Sequence, residues 1–167
     1  MKSIRVGDPL DKNSDMGAIN HKEQFKKIKE LVEKSKKGKS DFYQVEQKLP
    51  SKGYYFSPCL FDHCSNSDEI IREEIFGPVL SVMTFRTPDE AILKANDTRY
   101  GLAAGIWSEK GSKIHYTAGK LKAGVIWANT YNKFDPTSPF GGFKESGFGR
   151  EGGLHGLYPY LRIEERK

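Results

Sequence analysis

The sequence has 167 residues, enough for one domain with a real core, and its 37% hydrophobic and 12% aromatic content excludes a disordered chain. The formal charge of +5 sits wholly in residues 1–52, which hold 13 Lys plus Arg against 8 Asp plus Glu, while residues 53–167 balance at 14 against 14. Two cysteines are too few for a disulfide framework, and neither a signal-like start nor an apolar run of about 18 residues is present, so a soluble, cytoplasmic protein with no membrane partner is expected.

Residues 1–18 are rich in Gly, Asp and Pro and read as an extended lead-in with turns at Asp8-Pro9 and Asp15-Met16-Gly17. A helix follows, in which Asn20 is the expected cap with Glu23 three residues on. Phe25, Ile28, Leu31 and Val32 form its apolar stripe, and Gly38 is the expected stop. Its lysines alternate with Glu23, Glu30 and Glu33 and lack interleaved Arg and aromatic residues, which points to a solvated face and no nucleic-acid partner. Strands are expected over residues 42–45 and 53–61, with Pro58 arguing for an edge position or a bulge. Cys59 and Cys64 flank His63, but His21, His115 and His155 are scattered, so the paired short spacings of a structural zinc site are missing and no metal is expected. Neither cysteine has a base or a helix start beside it in sequence, so both read as ordinary thiols.

The stretch Arg72-Glu73-Glu74-Ile75-Phe76-Gly77-Pro78-Val79 places two carboxylates, an aromatic ring and a Gly-Pro break directly before an apolar strand over residues 79–85. Gly77 is expected to take the special backbone conformation, which would hold Glu74 and Phe76 on a rigid corner. A carboxylate can accept from both hydroxyls of a ribose and an aromatic face can pack on a flat heterocycle, although an acid before a strand is by itself commonly just solvated.

From Val79 the pattern is β-α-β-α-β, with helices expected over residues 88–95 and to about residue 120, and strands over residues 103–107 and 125–128. Thr87-Pro88-Asp89-Glu90 carries a full helix-start signature. Near-continuous apolar strands alternating with helices predict an α/β fold with a parallel-sheet βαβαβ core. Ligands bind such sheets beyond the carboxyl ends of the strands, which singles out Asn129, Tyr131, Phe134 and Phe140, although pattern alone assigns the phenylalanines to the core. Gly147, Gly149 and Gly152 match a dinucleotide fingerprint literally. The match fails because Lys144-Glu145-Ser146 is not a buried strand and no helix with a later acidic partner follows, so a tightly folded loop is expected. Residues 154–161 read as a short helix or strand, and the charged end, Arg162 to Lys167, as surface.

Val6-Gly7-Asp8-Pro9, Glu73 to Val79, Tyr100-Gly101-Leu102-Ala103 and Pro139 to Glu151 stand in the order and spacing of the C-terminal part of an aldehyde dehydrogenase catalytic domain, which nearly the whole chain resembles. The ending, with Asp135-Pro136, Gly156-Leu157-Tyr158 and Tyr160-Leu161-Arg162, looks more like the family-16 branch. The resemblance implies that Glu74 binds the nicotinamide ribose of NAD or NADP, and that Phe76 and Leu102 lie near the nicotinamide. It also implies that Asn129, Phe134 and Phe140 line the aldehyde tunnel. In that family a cysteine thiolate attacks the aldehyde, hydride passes to the cofactor, and a glutamate-activated water releases the carboxylic acid. The resemblance places that cysteine and glutamate upstream of Met1, so this chain is expected to hold no catalytic nucleophile or base and to be inactive alone. Residues 1–167 would then be one partial catalytic domain acting with the upstream half or as a homo-oligomer. The alternative, from another class, is a non-catalytic assembly or interaction module derived from such an enzyme.

Overall fold

The computed structural model describes residues 1–162, whose contacts fall into two compact units that divide between Thr84 and Phe85. Each unit closes a sheet of its own. The fold is α/β with parallel strand pairs in both units.

In the first unit the lead-in doubles back through a bridge between Val6 and Met16, and the Arg5 guanidinium grips Asp15 at 2.9 and 3.0 Å. That grip holds the Asp15 carboxyl down at about 2, through the Arg5 hydrogen bonds first and its charge second. Helix α1, Lys22–Ser35, is capped by His21 and not by Asn20: His21 has the extended backbone, and its Nδ1 accepts from the Gln24 amide at 3.1 Å. Asn20 lies one residue outside, and the Glu23 carboxylate lies 3.3 Å from the His21 ring rather than back on Asn20. Gly38 is not a left-handed stop either, because α1 unwinds through tight turns in which Lys37 and Gly38 donate to Lys34 and Ser35. The apolar stripe behaves as expected: Ile28, Leu31 and Val32 are buried, and Phe25 packs against the same core.

That core is completed by a three-stranded sheet in the order β1 (Asp41–Gln44), β2 (Cys59–Asp62), β3 (Val79–Ser81). Strand β2 is shorter than the expected run over residues 53–61, since Gly53 takes φ 107° and Pro58 cannot donate to a ladder. It is the central strand, antiparallel to β1 and parallel to β3, so the edge placement inferred from Pro58 is wrong. Pro58 stands one residue before the strand, where only its carbonyl is needed, and that carbonyl accepts from Val45 at 3.1 Å. Cys59 and Phe61 face inward on alternate positions beside Ile70 of the one-turn helix α2, Glu69–Arg72. The strand expected over residues 79–85 stops at Ser81, and Phe85 is 59% exposed.

In the second unit, helix α3 (Pro88–Asn96) starts as its sequence dictates, with Thr87 Oγ1 accepting from the Glu90 amide at 3.2 Å and Glu90 accepting from the Arg86 amide at 2.7 Å. Strands β4 (Ala103–Ile106) and β5 (Val125–Ala128) pair in parallel across α4 (Gly111–Ala118), with Ala103 opposite Val125 and Ile106 opposite Ala128. Tyr116 joins α4 to α3 by donating to Asp89 at 2.5 Å, and Lys120 contacts both. The glycine-rich segment is the folded loop expected, with Gly147, Gly152 and Gly153 at positive φ and one Arg150 nitrogen donating to the carbonyls of Gly142 and Gly149, each at 2.8 Å. Of residues 154–161 all but the extended Leu161 are helical, α5 (Gly153–Leu157) running into a 3-10 turn over Tyr158–Tyr160. Arg162 is exposed, and the surface placement expected for the rest of the charged end lies outside the described residues.

Candidate functional site

In the first unit, the corner before β3 is built by helix α1. Gln24 reaches across and donates its side-chain amide to the Ile75 carbonyl at 2.7 Å. Ile28, fully buried, presses on Gly77 so closely that a Cβ there would stand 2.6 Å from its Cδ1. Pro78 is tied to the sheet through its carbonyl, which accepts from the Cys59 amide at 3.0 Å. The left-handed residue is Phe76, φ 53°, and not Gly77, which is glycine for want of space. The expectation of a rigid corner holds, but for this different reason. Left-handed backbone at an aromatic residue is costly and persists only where its surroundings impose it. Here it turns the Phe76 ring outward, 72% exposed, beside a half-buried Glu74 whose carboxylate has no hydrogen-bond or ion-pair partner among the described residues.

The cysteines of the same unit are not available for chemistry. Cys59 is buried in the core, which pushes its thiol up to about 11, and burial likewise raises Cys64, whose Sγ donates to the Phe61 carbonyl at 3.4 Å. Both read as structural thiols.

In the second unit, a string of rings follows β5. Tyr131 lies between Trp107, 6.3 Å and nearly parallel, and Trp127, 4.9 Å and edge-on. Phe134 packs on Trp127 at 5.6 Å and on Phe140 at 4.9 Å, both edge to face. The core assignment that pattern gives Phe134 does not hold, since the ring is 59% exposed, while Phe140 is half-buried and bridged to Glu151 by reciprocal backbone hydrogen bonds of 2.7 Å. Trp127 Nε1 donates to the Lys133 carbonyl at 2.8 Å and pins the turn between them. Asn129 is left-handed, φ 53°, and both atoms of its side-chain amide bond the Ser108 backbone at 2.9 and 3.1 Å. Its polar atoms are engaged in structure. Leu102, exposed, stands one residue before β4, next to Gly101, whose missing Cβ leaves room for the Lys122 carbonyl, and the Gly101 carbonyl accepts from both Gly124 and Phe143. Gln24, Ser108 and Trp127 were not singled out from sequence. Gln24 had a visible signal in its place one turn before Ile28 on the buried face of α1, and Ser108 had none.

The profile of the aldehyde dehydrogenase family matches residues 1–165. The chain belongs to the aldehyde dehydrogenase family. It is 39% identical over 163 residues to the putative aldehyde dehydrogenase DhaS of Bacillus subtilis (strain 168), and 41% identical over 170 residues to the betaine aldehyde dehydrogenase of Brucella anthropi. Each alignment covers 98% of this chain, and 33% and 34% of those proteins respectively. Among solved structures, it superposes on the aldehyde dehydrogenase KauB of Pseudomonas aeruginosa with a TM-score of 0.91 at 40% identity, over 98% of this chain and 33% of that one. The Staphylococcus aureus betaine aldehyde dehydrogenase in complex with NAD+ gives a TM-score of 0.88 at 37% identity, over 96% of this chain and 33% of that one. The chain therefore spans about a third of the length of the curated family members it matches.

Proposed function

We propose that this chain is the C-terminal part of the catalytic domain of an NAD- or NADP-dependent aldehyde dehydrogenase, an enzyme that oxidises aldehydes to carboxylic acids. The observation that carries the reading is the corner at Glu74 and Phe76: an aromatic ring held outward on left-handed backbone beside a half-buried carboxylate with no partner among the described residues. Those groups fit a nicotinamide nucleotide, because a carboxylate can take two vicinal ribose hydroxyls and a ring face can cover a flat heterocycle. NAD or NADP, when bound, supplies the hydride acceptor. This chain's residues bind and orient. In the first unit Glu74 accepts from the ribose and Phe76 limits the travel of the nicotinamide; in the second, Phe134 and Phe140 present the apolar wall along which an aldehyde chain lies. Orientation of this kind acts on rate, since a reacting atom displaced by about 1 Å can cost a hundredfold.

The nucleophile is assigned to a part of the complete protein outside this chain, because neither buried cysteine offers a thiolate near neutral pH. The test is aldehyde-dependent formation of reduced cofactor by the complete enzyme, followed by absorbance in the parent and in Phe76→Ala. The reading expects activity in the parent and a loss of about tenfold in the variant, with its fold intact. No reduced cofactor from any of a panel of aliphatic and aromatic aldehydes would leave the alternative, an assembly or interaction module. The family-16 placement rests on Asp135-Pro136, Gly156-Leu157-Tyr158 and the ending at Tyr160-Leu161-Arg162.

A further inference from the structure

Strand β5 does not end where its backbone pairing ends. The last backbone rung is the Asn129 amide donating to the Ile106 carbonyl at 2.8 Å. Asn129 then turns left-handed, a conformation asparagine tolerates better than most residues, and its side chain makes the next rung. Oδ1 accepts from the Ser108 amide at 2.9 Å and Nδ2 donates to the Ser108 carbonyl at 3.1 Å, so the side-chain amide stands in for a peptide unit. A ladder extended in this way decides where the chain leaves the sheet. The residues placed by that exit are Tyr131, seated between Trp107 and Trp127, and Phe134, seated between Trp127 and Phe140.

We infer that Asn129 is a positioning residue for aldehyde selection: by clamping Ser108 it fixes the ring string and so the place of Phe134, without touching the aldehyde itself. The inference rests on the reading of Phe134 and Phe140 as the aldehyde wall. A bulky aldehyde feels the position of that wall, whereas a two-carbon aldehyde does not reach far enough along it. Loss of the clamp therefore raises KM for bulky substrates selectively and leaves cofactor affinity and kcat in place. A purely structural role would impair all of these together, on small and bulky aldehydes alike.

The sequence supplies a direct optical probe, because its only two tryptophans, Trp107 and Trp127, both belong to the ring string. Asn129→Asp puts a carboxylate oxygen against the Ser108 carbonyl and abolishes the donor. Asn129→Gly keeps the left-handed backbone without any clamp, and so serves where the aspartate variant does not fold. In near-ultraviolet circular dichroism of the 167-residue chain, both variants are expected to lose the coupled tryptophan signal while the far-ultraviolet spectrum is kept. In the complete enzyme, KM for benzaldehyde is expected to rise about fivefold, the scale of one lost hydrogen bond, with KM for acetaldehyde, kcat and the NAD dissociation constant within about twofold. A parent-like aromatic spectrum, an unchanged benzaldehyde KM, or equal losses on both aldehydes overturns the inference. Phe134→Ala separates the two levels. If it raises the benzaldehyde KM while the Asn129 variants do not, the clamp alone is refuted; if it leaves that KM unchanged, the wall reading fails and the inference falls with it.

Discussion

Gly77→Ala is a substitution whose sign depends on a single contact. Gly77 is not in the left-handed region, so its backbone would accept alanine, and replacing glycine at a compatible site ordinarily stabilises by about 0.4–1 kcal/mol through the unfolded chain. Here the new Cβ would stand 2.6 Å from Ile28 Cδ1, 3.0 Å from Cγ1 and 3.3 Å from Cγ2, and Ile28 is fully buried with nowhere to turn. Overpacking of that kind costs about 1–3 kcal/mol, which outweighs the entropic gain. Gly77→Ala should therefore destabilise the first unit by about 1–2 kcal/mol. Ile28→Val removes the worst contact at its own cost of about 0.5–1.5 kcal/mol, so the double variant should lie close to Ile28→Val alone. Both tryptophans lie in the second unit, so the change calls for a probe within the first. Hydrogen exchange at the Cys59 and Phe61 amides of the central strand reads it instead. A neutral or stabilising Gly77→Ala, or additive behaviour of the pair, would refute the claim that α1 sets this corner by close packing.

Cys59 and Cys64 should resist alkylation by iodoacetamide at pH 8 and react only after denaturation, because burial raises both thiols; fast labelling of the native chain would contradict this. Asp15 should titrate at about 2, below its ordinary 3.8, so its contribution to lead-in stability is present above pH 4 and lost as pH falls toward 2. Carboxyl NMR shifts with exchange at the Gly7 amide follow both, and a midpoint near 3.8 would rule out the Arg5 grip. Thr87→Ala should cost the second unit about 1 kcal/mol in urea unfolding followed by tryptophan fluorescence, and an unchanged midpoint would show that the cap contributes nothing.

Features fixed by local chemistry were legible in the sequence. Thr87-Pro88-Asp89-Glu90 starts α3 as written, residues 125–128 form β5 without adjustment, and the 28/31/32 stripe faces the core. Features decided by contacts across the chain were not. Phe76, not Gly77, is left-handed because Ile28 and Gln24, some fifty residues earlier, hold the backbone on either side of it. Strand β2 is central because β1 folds back on it, which no local pattern around Pro58 discloses. The same distinction runs through the site. The candidates Glu74 and Phe76 could be named from one short motif, whereas the clamp of Asn129 on Ser108 emerged only with its partner, twenty-one residues away just beyond β4.

The claim that Glu74 orients the nicotinamide is tested most directly by single-turnover hydride transfer in the complete enzyme carrying Glu74→Gln. Glutamine keeps the shape of the side chain and one acceptor but loses the charge. A hydrogen bond to a charged group is worth about 1.5–3 kcal/mol, an upper guide because one acceptor remains. With displacement of the reactive carbon added, the transfer rate should fall about tenfold or more, while the cofactor dissociation constant rises only modestly. An unchanged transfer rate accompanied solely by weaker cofactor binding would contradict the orienting role.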